Sequence, residues 1–270
     1  MRSGVGPTQL LESLQIPVVY NNPDVGQGLA DQPHVVLIFT SNPDDTPSSL
    51  TLNIAGTIIT ALAKTTIGQE LIKYIASNVN VQNGLLAQIA WLPDPIGGQS
   101  KRELRFASAN PIPGITVVIF DLVQPESRGS IVINSSDPFV EPTMDFGLLN
   151  NPDDLDLYLS GFQIYIKNIN IALQQIDPAY QLVYPDPSIL DDTQELTDFI
   201  KEEIGSNMHF QSHCRMGPLG QAVVDNTGHV YGVQNLIVAD DSIVPVGMDG
   251  SPMATAYLIA ANIANMILNT

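Results

Sequence analysis

Residues 222–240 read AVVDNTGHVYGVQNLIVAD, and this stretch decides the fold. Two apolar runs flank an Asn-Thr-Gly turn, which predicts a β-hairpin over 222–233. The continuous apolar run NLIVAD at 235–240 is typical of a strand that is buried on both faces of a sheet. Together with the helices predicted below, the stretch indicates a mixed α/β protein.

A long helix is predicted directly downstream, over 251–268, where the sequence is SPMATAYLIAANIANMIL. Ser251 suits the N-cap and Pro252 suits the first turn. Apolar residues occupy nearly the whole circumference, so we expect a buried helix. A buried strand, a loop and a capped helix make a place where backbone N–H groups can receive an anion or a polarised oxygen.

The other elements follow from periodicity and turn residues. The sequence predicts strands over 114–122 and 129–135 and a loop-rich region over 84–110. Predicted helices cover 7–15, 68–77, 151–173 and 192–204. In the third of these helices the spacing of the apolar residues predicts one buried face made of Leu155, Leu159, Phe162, Ile166, Ile169 and Leu173.

Charge and composition exclude several functions. The net charge of −18 disfavours binding to nucleic acid or to an anionic membrane surface. A single cysteine excludes an internal disulfide. The N-terminus has no apolar core, so no cleavable signal peptide is expected. Asn262 and Asn265 interrupt the most apolar stretch, which is short for a bilayer span. The compartment stays open, with the cytoplasm as the default.

Residues 208–218, MHFQSHCRMGP, hold two of the four histidines and the single cysteine. Metal ligation by His209 and His213 is disfavoured, because no Asp or Glu lies between them and a zinc site needs three or four ligands at a recognisable spacing. Cys214 with a nearby histidine could form a nucleophile pair, but no helix start supports it. From the residues alone, a hydrogen-bonded core histidine remains an alternative.

The segment from His209 through CRMGPLGQAVVDNTGHVYGVQNLIVADDSIVP to SPMATAYLIAANIA resembles the C-terminal signature of the glucose–methanol–choline oxidoreductases, flavoenzymes that bind FAD and oxidise alcohols. SGVGPTQLLESLQIPVVYNNPDVGQGLADQP, residues 3–33, resembles the second signature of that family. QPESRGSIVINSSDPFVEPTMDFGLLNNPDDL, residues 124–155, resembles its substrate-domain strands and the helix that follows. The resemblance runs across essentially the whole chain.

This resemblance implies a domain plan. Residues 1–33 would hold an FAD-domain remnant and the second signature. Residues 34–213 would form a substrate-binding domain with an antiparallel sheet and flanking helices. Residues 214–270 would supply the C-terminal strand and helix of an FAD-binding Rossmann-like domain. The G-x-G-x-x-G fingerprint that holds the FAD pyrophosphate is missing from the sequence.

The chain therefore looks like a C-terminal half. It would work with a separately encoded N-terminal FAD-binding half and be inactive without it. The alternative is a truncated or degenerate relative without catalysis, in a binding or structural role. In either case we expect the segments 235–240 and 251–268 to pack against residues of the absent half. Alone, they would expose apolar surface.

The resemblance also implies site residues. His209 would take the hydroxyl proton of an alcohol substrate while the hydride leaves for the flavin. His213, where the family has Thr or Ser, is the alternative base, and Ser212 stands where glycine is usual. Ser251 stands where the family has His or Asn, so it is either catalytic or a plain N-cap. The sequence does not distinguish an oxidase from a dehydrogenase.

Other residues are expected beside the cofactor. They are the two loop residues Asp31 and Gln32, the strand-end residues Asp240 and Asp241, and the helix-start residues Pro252, Met253 and Ala254. The backbone N–H groups of the last two would lie near the flavin pyrimidine edge. His34 is expected to be a solvated loop residue.

Overall fold

The computed structural model describes residues 1–40, 88–93, 102–112, 114–176 and 178–269. The strands in chain order are β1 (Val5–Gly6), β2 (Tyr20–Asn21), β3 (Gln27–Leu29), β4 (Pro33–Thr40), β5 (Gln88–Pro93), β6 (Glu103–Ile112), β7 (Ile115–Leu122), β8 (Gly129–Val132), β9 (Thr143–Asp145), β10 (Gln181–Tyr184) and β11 (Gly205–Ser206). The α-helices are α1 (Thr8–Ser13), α2 (Pro152–Gly161), α3 (Lys167–Ile176), α4 (Thr193–Glu203) and α5 (Met253–Leu268).

The chain divides into two compact units, and each is made of separate stretches of sequence. The first unit contains residues 1–32, 124–151 and 208–270. The second unit contains residues 33–123 and 152–207. The assignment of residues 1–33, 34–213 and 214–270 to cofactor and substrate domains stays a proposal.

The second unit is built on a six-stranded antiparallel sheet. Its strands lie in the order β10-β4-β7-β6-β5, and β11 pairs with β4 as well. Runs of β-branched and aromatic residues form β4 and β7, and both faces of these strands are buried. The predicted mixed α/β fold with an antiparallel sheet and flanking helices is confirmed.

Aromatic side chains attach the helices of the second unit to its sheet. Phe120 of β7 makes edge-to-face contacts with Tyr158, at 6.0 Å between ring centroids, and with Phe162, at 5.3 Å. The Tyr158 hydroxyl donates to the carbonyl of Pro33 and accepts from the amide of Leu122. One helix thus holds the start of β4 and the end of β7.

A buried ion pair joins β6 to β7. Arg105 Nε lies 3.0 Å from Asp121 Oδ1, and Arg105 Nη2 lies 2.5 Å from Asp121 Oδ2. Asn207 Nδ2 donates to Oδ2 over 3.0 Å, and the Asp121 side chain is fully buried. Burial raises the pKa of the Asp121 carboxyl to about 6, while Arg105 and Asn207 act to lower it. In the register of the sheet, His34 and Arg105 both pair with Asp121.

The long helix predicted over 151–173 is present, but its buried face is different. Five residues in π-helical geometry, Phe162–Ile166, separate α2 from α3. Phe162 and Ile166 are buried as predicted, whereas the other four predicted positions are only half-buried. The face instead includes Leu157, Tyr158 and Gly161. The π-helical residues change the helical phase, so a single 3.6-residue period cannot locate this face.

Two further predictions for the second unit are wrong. The region 84–110 contains strands β5 and β6, because long-range pairing with β7 overrides its loop-like composition. His34 is not a solvated loop residue, since it lies in β4 with 2% of its surface exposed. The helix predicted over 68–77 lies outside the described residues.

Small sheets and a valine-rich cluster form the first unit. β1 and β2 pair in parallel, and β3, β8 and β9 form a three-stranded antiparallel sheet. The predicted strand over 129–135 is thus confirmed as β8. The buried cluster contains Val5, Val25, Val223, Val224, Val230, Ile243 and Ile263. It ties the C-terminal segments to the N-terminal one.

The stretch 222–240 is less regular than its sequence indicates. The turn between Asp225 and Gly228 is present, closed by a backbone hydrogen bond of 3.1 Å. The predicted hairpin strands are reduced to an isolated bridge between Val224 and Val230. The segment 235–240 is not a doubly buried strand, because it has only one bridge, between His229 and Ile237, and most of it is exposed.

Helix α5 is present, but the expectation that it is buried is wrong. Among its residues, Ile263 is the only one that is buried. Large apolar side chains face outward, including Met253, Tyr257, Leu258, Ile267 and Leu268, which are 55–83% exposed. An apolar surface of this kind is unusual in an isolated soluble unit. Among the described residues, no helix is both long and apolar enough to cross a membrane.

Candidate active site

His209 lies in a short extended segment that is clamped by the loop at residues 30–32. The His209 amide donates to Asp31 Oδ1 over 2.9 Å. Ala30 and Gln211 exchange two backbone hydrogen bonds of 2.9 Å. Met208 and Ser212, at the two ends of the segment, have positive φ angles of 56° and 71°. These bends present the half-buried His209 ring on one side of the clamp.

Gln32 brings two predicted site segments together. Its Oε1 lies 2.7 Å from His209 Nδ1. Its Nε2 donates to the carbonyl oxygens of Met248 and Gly250, over 2.8 and 3.0 Å. Gln32 is 2% exposed, whereas its partners His209, Met248 and Gly250 are half-buried. The loop that leads into Ser251 is therefore connected to His209 through one amide group.

The start of α5 differs from its predicted form. The N-cap residue is Pro252, and no side chain makes a capping hydrogen bond there. The interpretation of Ser251 as an N-cap is therefore wrong, and its side chain is exposed. Met253 and Ala254 begin the helix with amides that no side chain caps. Such amides can receive an oxygen acceptor from a ligand.

Asp240 and Asp241 lie beside the segment that follows His209. Asp240 Oδ1 accepts from the amide of Ser242 over 2.8 Å and caps a short 3-10 turn, Asp241–Ile243. The Asp241 carbonyl accepts from the amide of Ser212 over 3.3 Å. Burial, together with the charge of Asp240, raises the pKa of the Asp241 carboxyl. Asp240 is exposed and available to a polar ligand.

His213 occupies a different environment from His209. Burial lowers the pKa of the His213 imidazole, while Asp240 and a hydrogen bond with the Gln211 backbone act to raise it. Among the described residues its Nδ1 has no hydrogen-bond partner. His213 is therefore favoured in its neutral form. No group of three or more His, Cys, Asp or Glu residues in the described part of the chain could hold a metal ion.

Comparison with protein families gives one match across half of the chain. The family model described as GMC oxidoreductase matches residues 125–260. This chain is a GMC oxidoreductase family member.

Curated relatives of this GMC family member include oxygen-dependent choline dehydrogenase from Yersinia pseudotuberculosis serotype IB (strain PB1/+). It is 30% identical over 98% of this chain and 46% of its own length. 5-(Hydroxymethyl)furfural oxidase from Methylovorus sp. (strain MP688) is 26% identical over 99% of this chain and 48% of its own length. The chain thus spans about half the length of the relatives it matches.

A solved structure supports the fold of this GMC family member. Formate oxidase from Aspergillus oryzae RIB40, in a study of its FAD modification, superposes with a TM-score of 0.74. The match covers 98% of this chain and 51% of that one, at 20% sequence identity. At that level of identity the likeness establishes the fold.

Ser212 is a strained position in this GMC chain. Its φ of 71° lies in the left-handed region that glycine adopts without penalty, which gives a reason for the glycine that the resemblance implies here. Ser212 Oγ is also buried and has no hydrogen-bond partner among the described residues. The serine therefore carries both backbone strain and a desolvated hydroxyl.

We expect Ser212→Gly to raise the free energy of unfolding by about 1 kcal/mol. Relief of roughly 1–2 kcal/mol of left-handed strain, and removal of the buried hydroxyl, outweigh the added entropy of a glycine in the unfolded chain. Urea unfolding followed by circular dichroism measures the change. Ser212→Ala is the matched control, because it removes the hydroxyl but keeps the Cβ. A glycine variant no more stable than the alanine variant would contradict the strain argument.

Two glutamines hold this site together without a signal in the local sequence. The resemblance predicts Gln32 only as a residue near the cofactor, and no sequence pattern indicates Gln211. Gln211 Oε1 accepts from the amide of Met248 over 3.1 Å, and Gln211 Nε2 donates to the His209 carbonyl over 3.2 Å. The partners are up to 218 residues apart in sequence, so no local pattern could reveal these contacts.

Proposed function

We propose that this chain carries the proton-accepting histidine of an FAD-dependent oxidoreductase that acts on the CH–OH group of an alcohol. The observation that carries the proposal is Gln32, which hydrogen-bonds both His209 and the loop before α5. Membership of the GMC family supports the reaction class. A base that is linked through the Gln32 hydrogen bonds to the loop before a helix start suits this chemistry.

His209 is proposed to accept the hydroxyl proton of the alcohol. Its ring is half-buried, so a substrate oxygen can approach it. Removal of that proton raises the electron density on the oxygen and helps the hydride to leave the adjacent carbon. FAD, when bound, supplies the acceptor for this hydride. The clamp on the His209 backbone fixes the ring for proton transfer.

The residues at the start of α5 fit a flavin. The uncapped amides of Met253 and Ala254 can donate to the oxygens of a flavin ring, and the helix dipole favours negative charge there. Asp240 is exposed at the end of the segment 235–240 and can accept from hydroxyl groups of the cofactor. Asp241 and Pro252 are proposed to shape the same surface.

Ser251 gives a second candidate function some support. In an active enzyme, the exposed Ser251 hydroxyl is proposed to make one hydrogen bond to a substrate oxygen. It is shorter and far less basic than the His or Asn that the resemblance implies. The alternative is therefore a GMC relative without catalysis, in a binding or structural role. A chain that retains flavin but oxidises no alcohol would support this alternative over the enzyme.

The exposed face of α5 is proposed to bind the part of a GMC protein that this chain does not span. The curated relatives are about twice as long as the matched region. Leu258 and Ile267 are 62% and 55% exposed on this helix. Burial of such side chains against a partner segment contributes about 1.5–3 kcal/mol each. Covering this face removes the exposed apolar surface.

The test is the visible absorption spectrum of this chain, purified alone and after co-expression with an FAD-binding GMC segment. We expect a flavin spectrum only in the co-expressed pair. Leu258→Glu should weaken the pair at least about tenfold, because it loses the apolar burial. Phe139→Glu is the matched control, since Phe139 is 94% exposed and lies outside α5.

Addition of choline or 5-(hydroxymethyl)furfural without oxygen should then bleach the flavin if either alcohol is a substrate. A bound flavin that no alcohol in a wider panel bleaches would favour the alternative without catalysis. Absence of flavin from both preparations would contradict the FAD proposal.

A further inference from the structure

We propose that Gln32 is a positioning residue that fixes the tautomer of His209, with the proton on Nδ1 and the acceptor lone pair on Nε2. The role of that tautomer in proton transfer rests on the proposed function. The tautomer itself follows from hydrogen bonds within this chain.

The orientation of the Gln32 amide is set by its other contacts. The end of the amide near Met248 and Gly250 faces two carbonyl oxygens, at 2.8 and 3.0 Å. Carbonyl oxygens only accept hydrogen bonds, so this end must be the NH₂ group. The opposite orientation would place three oxygens together in a buried site. The end that faces His209 is therefore the oxygen Oε1.

The same logic assigns the proton on the histidine ring. Gln32 Oε1 can only accept, and it lies 2.7 Å from His209 Nδ1. Nδ1 must therefore carry a hydrogen and donate it. A neutral imidazole has one protonated nitrogen, so the lone pair is on Nε2. The other tautomer would set two lone pairs against each other across this short distance.

Both ends of the Gln32 contact are held in place. The Asp31 carboxylate accepts from the amide of Gln32 over 2.8 Å as well as from the amide of His209. Gln211 fixes the amide of Met248 on the other side. Gln32 therefore links the state of the His209 ring to the position of the 248–250 loop, and a shift of that loop would loosen the constraint on the ring.

The test is a long-range ¹H–¹⁵N correlation spectrum of the histidine rings in the ¹⁵N-labelled full chain at alkaline pH, where the imidazoles are neutral. We expect His209 Nδ1 to show the shift of a protonated ring nitrogen and Nε2 that of an unprotonated one. In Gln32→Met, which removes the acceptor, this pattern should reverse or average.

Gln27→Met is the matched control, because Gln27 is an exposed glutamine of β3 in the same unit of the chain. It should leave the Nδ1 shift unchanged. An unprotonated Nδ1 in the wild type would overturn the proposal, as would a protonated Nδ1 that persists in a folded Gln32→Met variant. The spectrum needs neither flavin nor alcohol. Failure of the oxidoreductase proposal would leave this spectrum unchanged. Failure of the tautomer proposal can therefore be distinguished from failure of the proposed function.

Discussion

Replacement of His209 by alanine is expected to slow the alcohol-dependent reduction of bound flavin by about 10²- to 10⁴-fold, the usual contribution of a positioned general base. The measurement is the rate of flavin bleaching after anaerobic mixing of an alcohol with the proposed complex of this chain and an FAD-binding GMC segment. The flavin content of the variant should equal that of the wild type. The hydrogen bonds of the His209 amide and of Nδ1 are made to Asp31 and Gln32 of this chain, so the proposed flavin contacts at α5 do not depend on them.

His213→Ala is the matched control for this experiment, since it removes an imidazole four residues away in the same segment. Burial lowers the pKa of the His213 imidazole, which makes it a weaker proton acceptor. We expect its effect on the bleaching rate to be less than about tenfold, well below the contribution of a general base. If His213→Ala had the larger effect, the assignment of the base to His209 would be wrong.

The largest effect on stability is expected at Asp121. Asp121→Ala should lower the free energy of unfolding by about 3–5 kcal/mol, because it leaves the Arg105 guanidinium buried without its counter-charge. Arg105 is 9% exposed and has two of its nitrogens on the carboxylate, so the lost contacts cannot be replaced by water without opening the sheet. The measurement is urea unfolding at pH 8, where the carboxyl, with its pKa of about 6, is ionised.

Asp191→Ala supplies the control for charge removal alone. Asp191 pairs with Lys167 at the surface, with 72% of its side chain exposed. Its loss should change the free energy of unfolding by no more than about 1 kcal/mol. The double variant Arg105→Met/Asp121→Ala should be more stable than Asp121→Ala alone, because no buried charge remains. A double variant as unstable as the single one would show that packing, rather than the unpaired charge, determines the loss.

Local signals in the sequence located the elements that depend on neighbours along the chain. Asp192 caps α4 by accepting from the amides of Gln194 and Glu195, as expected for a helix that begins near 192. The turn after Asp225 was also predicted correctly. Strand β6 was missed, because its polar residues Arg105 and Ser108 are buried by pairing with distant partners. Arg105 is buried because it pairs with the carboxylate of Asp121, which is 16 residues away in sequence.

The candidate site shows the same limit. The resemblance indicated His209 and the start of α5 as a pair of segments. The connection between them through Gln32 spans 177 residues to His209 and 218 to Gly250, so it depends on the tertiary fold. For α5, the apolar pattern predicted burial, whereas the resemblance predicted exposed apolar surface in the absence of the rest of a GMC protein, and the exposed side chains agree with the second prediction. The surface that would bury this all-round apolar helix is not among the described residues.

The π-helical residues Phe162–Ile166 affect how this chain should be aligned with its relatives. A π-helical turn accommodates one more residue than an α-helical turn of the same rise. A relative whose helix is α-helical throughout would therefore match both α2 and α3 only if its alignment carried a one-residue gap within 162–166. An ungapped alignment would pair core positions of one protein with surface positions of the other on one side of this segment, and substitutions there would then be misassigned.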